Sequence, residues 1–153
     1  MILLMIVLSL AGGALLSMQA AINGRLGSAV GTFRSAFLTF AIGALITALL
    51  IVFFEPKQSV TLMDVPKWQL LGALFGVPYV AIMAFAVPRI GSAVATVAVI
   101  TGQIAMSLLI DSFGWLGNAQ IPFSGSRGLA VLCLVAALWF IYTSNASKEN
   151  PDR

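Results

Sequence analysis

The chain has 153 residues, of which 60% are hydrophobic and only 8% charged, at a mean hydropathy of +1.05. Soluble domains average about a quarter charged residues, so this composition belongs in a bilayer. Eight Lys and Arg against five Asp and Glu give a formal charge of +3, scattered over loops and ends, and the single cysteine, Cys133, has no histidine to accompany it; a nucleic-acid partner, a metal site and a cofactor are therefore not expected.

Five stretches approach the roughly 20 apolar residues that span a ~30 Å hydrocarbon core. They predict helices at about 2–22, 33–54, 68–87, 92–110 and 128–142, forming a membrane domain over 1–143 with a polar tail over 144–153. The first opens without a basic n-region and continues through Leu15 and Leu16. That is past signal-peptide length, so it is expected to be a retained helix. It stops at Gln19-Ala20-Ala21-Ile22-Asn23-Gly24-Arg25-Leu26-Gly27, and the segment from Gly27 to Gly31 reads as a loop between Arg25 and Arg34. The second helix ends at Glu55-Pro56-Lys57, because proline cannot continue the ladder. A polar connection with Lys57, Gln58, Asp64 and Lys67 leads to the third, where Pro78 should kink the helix or free a carbonyl. The tail, with Asn150-Pro151-Asp152, is expected to fray.

With five spans the termini face opposite sides. Lys57, Lys67 and Arg127 fall on the side of the N-terminus, and Arg25, Arg34, Arg89, Lys148 and Arg153 on the side of the C-terminus. Three against five favours a cytoplasmic C-terminus by a narrow margin, and without the tail the two sides balance. A chain that inserts both ways has this balance, and so does a small protein oriented by a partner. Five helices are few for a transport path with alternating access, whereas two copies in opposite orientation form an inverted repeat. Dimerisation is therefore expected.

The polar residues inside the apolar helices are the candidate site. On helix one, Ser9, Gly12, Gly13, Leu16, Gln19, Ala20 and Asn23 share a stripe that suits either close helix packing or cavity lining. On helix four, Gln103, Ser107 and Asp111 recur every four residues. A buried Asp111 would be a proton carrier, but its place near the helix end beside Ser112 and Gly114 argues for an interfacial pair with an arginine such as Arg127. Gly72 to Gly76 on helix three has the spacing of close helix crossings. Tyr79 follows Pro78 and either faces a cavity or caps the carbonyl freed there; Trp68, Trp115 and Tyr142 suit the membrane interface. No helix carries a mid-membrane acid and no nucleophile sits beside a base, so the chain does not read as an enzyme.

Gln19 to Gly27, Trp68 with Gly72 to Gly76 and Tyr79, Pro88-Arg89-Ile90-Gly91, Gly102-Gln103, Ile110-Asp111-Ser112-Phe113-Gly114 and Arg127-Gly128 together resemble the YdcZ-type family of the drug/metabolite transporter superfamily. The resemblance spans roughly residues 9–130. It implies a five-helix bacterial inner-membrane protein working in antiparallel pairs, each pair similar to one ten-helix transporter. Carried onto this chain, its motif positions are Gln19, Asn23, Arg25, Gln103, Asp111 and Arg127. The expectation is an all-α subunit that pairs antiparallel with itself and exports a small organic metabolite, in contact with membrane lipid. Gln19, Asn23 and Gln103 are its hydrogen-bonding residues, Tyr79 and Trp68 its aromatic walls, and Asp111 with Arg127 or Arg25 its gate or coupling pair. The alternative is an accessory membrane subunit that needs an oppositely oriented partner.

Overall fold

The computed structural model describes the backbone of residues 1–56 and 63–149, with side chains as far as Ser144. All regular structure there is helical: α1 (Ile2–Val30), α2 (Thr32–Phe54), a 3-10 turn over Lys67–Leu71 running into α3 (Gly72–Ile90), α4 (Ser92–Phe113), a short 3-10 turn at Trp115–Gly117, and α5 (Gly125–Glu149). Among the described residues, five helical segments are long and apolar enough to cross a membrane.

Helix α1 runs on to Val30, through the stretch that reads as a loop. Hydropathy marks where the hydrocarbon ends, but the helix continues until its backbone is turned. Gly31 does that at φ 100°, a conformation open to glycine because it has no Cβ, and α2 begins at the next residue. Both helices close their ladders on this corner: the Gly31 N–H donates to Gly27 O at 2.9 Å, and the Ser35 N–H donates to Gly31 O at 3.0 Å. Gly91, at φ 80°, is a second one-residue corner between α3 and α4.

The other ends also follow local geometry. Trp68 and Gln69 lie in the 3-10 turn before α3, which carries both Pro78 and Pro88 inside it. Helix α4 continues to Phe113, where Gly114 takes the left-handed conformation and its N–H caps Ile110 O. Helix α5 starts at Gly125 and extends past Tyr142 to Glu149, so the first part of the expected tail is helical. Lys57 and Gln58 of the polar connection, and the fraying expected at Asn150-Pro151-Asp152, lie outside the described residues.

The chain divides into two compact units, Met1–Arg89 and Ile90–Arg153. In the first, small residues permit close approach of three helices. A Cβ on Gly24 would meet Val87 at 3.1 Å and Pro88 at 3.3 Å, one on Gly27 would meet Ala84 at 3.3 Å, and one on Gly76 would meet the Phe40 ring at 3.3 Å. The buried residues of this unit include Ala20, Asn23, Ser35, Ala36, Met83 and Ala84. In contrast, the most apolar windows of α1 and α2 bury none of their residues within the chain. In the second unit α4 packs along α5, and Val94 and Ala95 of α4 are buried.

Candidate functional site

Two polar constellations emerge, one in each unit. The first is centred on Asn23, which is 7% exposed in α1. Its backbone carbonyl accepts the hydroxyl of the fully buried Ser35 at 3.0 Å, and its Oδ1 accepts from Thr39 Oγ1 at 2.9 Å. Thr39 Oγ1 is also 3.0 Å from Ser35 O, so one hydroxyl proton is shared between two acceptors. Ser35 and Thr39 stand four residues apart on α2 and face α1 across the Gly31 corner. The Asn23 Nδ2 group makes no hydrogen bond among the described residues, where no enclosed side-chain polar atom lacks a partner. The nitrogen is therefore not completely enclosed.

Neither Ser35 nor Thr39 is conspicuous in the sequence, because hydroxyl residues are common in membrane helices. The available signal is their i, i+4 spacing just after Gly31, matching that of Gln19 and Asn23 just before it.

Gln19 is exposed one turn before Asn23 on α1, and Gln103 is exposed in the middle of α4. No side-chain hydrogen bond reaches either amide among the described residues. In a membrane-spanning helix an amide cannot be left against hydrocarbon without cost, so both side chains call for a polar surrounding. Arg25 is exposed on α1, Trp68 is exposed on the 3-10 turn, and Tyr79 is half-buried on α3. No hydrogen bond among the described residues joins any of these three to another side chain.

The second constellation closes the end of the α4–α5 pair. Arg127 Nη1 lies 3.3 Å from Asp111 Oδ2, with both side chains about one-third exposed at 33% and 34%. The Asp111 carbonyl also accepts the Ile121 N–H at 2.8 Å, and Gln120 Nε2 donates to Ser112 O at 2.9 Å. Asp111 thus holds the connection between α4 and α5 through its backbone as well as its carboxylate. Arg25, the other arginine considered for Asp111, makes no ion pair among the described residues. No group of three or more metal-binding side chains is found among the described residues.

The sequence from residue 4 to residue 140 matches the model of a family described as "Putative inner membrane exporter, YdcZ". No curated protein and no solved structure matches the chain. The family match covers all five apolar helices, in keeping with a multi-pass protein of the inner membrane.

Proposed function

The chain belongs to the YdcZ family of inner-membrane exporters, a family of transporters rather than enzymes, and from that premise we propose that it exports a small organic metabolite as an antiparallel, dual-topology homodimer. On this reading two copies form a ten-helix inverted repeat of the drug/metabolite transporter superfamily type, in a bacterial inner membrane. The observation that carries it is the pair of exposed amides, Gln19 and Gln103, inside helices that otherwise offer hydrocarbon. A second copy encloses them and gives them water or substrate to bond.

Recognition is assigned to Gln19, Asn23 and Gln103, with Tyr79 and Trp68 as aromatic surfaces. Asn23 enters with its oxygen engaged by Thr39, so it presents N–H donors to an acceptor on the cargo, such as a carbonyl or carboxylate oxygen. The absence of any acid within the spans before Asp111 suits a neutral or zwitterionic cargo better than a lone cation. Asp111 with Arg127 acts as a gate or orienting pair at the end of α4.

The test is metabolite profiling of medium and cytosol from cells expressing the chain or its Gln19→Leu, Gln103→Leu double variant. Neither amide has a hydrogen-bond partner among the described residues, so the variant should fold and pair while losing export. A double variant with an unchanged export profile would sink the assignment. The five-to-three bias in basic residues favours a second reading, an accessory subunit of fixed orientation. Paired reporters fused after Arg153, one active in the cytoplasm and one in the periplasm, distinguish the two: both signals support the homodimer, one signal supports the accessory subunit.

A further inference from the structure

The segment joining α4 to α5 exposes several large apolar side chains. Phe113, Trp115, Leu116, Ile121 and Phe123 are all exposed, Leu116 and Phe123 by 62% each. Trp115 stacks on Phe113 with ring centroids 5.2 Å apart, and the Phe123 ring lies against the backbone of Gly128 in the first turn of α5. Several polar groups bond within the segment, although the Asn118 and Gln120 side chains are exposed. Asn118 donates to Trp115 O through both its backbone N–H and its side-chain amide, Ile121 donates to Asp111 O, and Gln120 to Ser112 O. The Ser124 carbonyl accepts from Arg127 and Gly128, and the one ion pair of the segment, Asp111 with Arg127, is internally neutral.

Leu116 adds a second kind of observation. It holds φ 60° and ψ 23°, the one non-glycine residue with positive φ among the described residues. A bulky side chain in that conformation is strained, and strain of this kind persists only where the surroundings fix it.

We infer that residues 113–123 form a preshaped wedge that sits in the headgroup and upper acyl region of the bilayer, with Trp115, Leu116, Ile121 and Phe123 in contact with lipid. Two features select lipid over another occupant. The segment emerges directly from two helices that cross the membrane, so lipid lies beside it at that depth. Its tryptophan and phenylalanines are the residue types that lodge at the boundary between headgroups and hydrocarbon. The inference concerns how the chain sits in the membrane and does not depend on the transport reading.

The test uses the full-length protein with Cys133→Ser, which removes the one cysteine, and a new cysteine at Ile121→Cys or, separately, Phe123→Cys. Each is labelled with a nitroxide and reconstituted in phosphatidylcholine–phosphatidylglycerol vesicles. Power saturation compares collision with oxygen, which partitions into lipid, and with a water-soluble nickel chelate. Collision with oxygen in excess of the chelate at both sites, at a depth just beneath the headgroups, is the expected result. Dominance of the chelate would make the segment an aqueous loop, and exclusion of both reagents would mean that protein covers it; either result overturns the inference. Two label sites guard against one variant failing to fold. The Ile121 bond to Asp111 runs through the backbone N–H and survives a change of side chain.

Discussion

Thr39 Oγ1 lies 2.9 Å from Asn23 Oδ1, a side-chain bond that joins α1 to α2 across the Gly31 corner. The bond is partly buried, and Asn23 is the largest polar residue in the buried set. Replacing Thr39 by valine preserves shape and removes the donor, leaving the Asn23 oxygen unpaired. Thr39→Val should therefore destabilise the first unit by about 1 kcal/mol, and Thr39→Ser should restore most of it. Thermal unfolding of detergent-solubilised protein makes the comparison. Equal midpoints for the valine variant and the parent would remove the bond from the stabilising contacts.

Glycines on α1 and α2 should divide by what they touch. A Cβ on Gly27 would stand 3.3 Å from both the Ala84 side chain and the Ala84 backbone oxygen, whereas one on Gly43 meets nothing within 4 Å. Backbone cannot yield as a flexible side chain does, so Gly27→Leu should cost roughly 1–3 kcal/mol by overpacking. Gly43→Leu in the same assay should stay within a few tenths of a kcal/mol, the range of a substitution with no neighbours. The reverse order would mean that α1 does not pack on α3 through Gly27.

The Asp111–Arg127 pair should be weak as an isolated contact. Both side chains are about one-third exposed, and a pair in that setting contributes about 0.2–1 kcal/mol, less in high salt. A double-mutant cycle of Asp111→Asn and Arg127→Gln should return a coupling in that range. The loop should keep its shape in both single variants, because the Ile121 bond goes to the Asp111 backbone carbonyl. A coupling of several kcal/mol would mean the pair is enclosed rather than one-third exposed.

Leu116 gives a prediction of sign. Glycine tolerates φ 60° and valine does not, so Leu116→Val should lower the unfolding midpoint in detergent while Leu116→Gly leaves it unchanged or raises it. The strain relieved by glycine is about 1–2 kcal/mol, offset in part by its greater freedom when unfolded. A valine variant as stable as the parent would show that the turn relaxes.

The helical class and the five spans were legible from hydropathy, because a run of some 20 apolar residues allows few other structures. Helix ends were less legible. Asn23 and Arg25 end the apolar run but not α1, since polarity reports depth in the bilayer whereas Gly31 reports where the backbone turns. Asn23 stood out as an amide among hydrocarbon side chains, but its partners Ser35 and Thr39 did not, since a hydroxyl in a helix can satisfy itself on its own i−4 carbonyl. Thr101 does so with Val97 O at 2.8 Å, and nothing in sequence separates it from Thr39. Asp111 and Arg127 could be matched because acids are so scarce here that few pairings exist.

The single-glycine corner between α1 and α2 also bears on how the protein is made. A pair of helices joined by one residue presents no hydrophilic loop to be threaded through the hydrocarbon layer, so the pair can enter the membrane together as a closed hairpin. What must cross, in one sense of insertion and not the other, is the charge of Arg25 and Arg34 that flanks the bend. During biogenesis these two guanidinium groups therefore weigh directly on the energetic difference between the two senses, and moving or neutralising either one adjusts it.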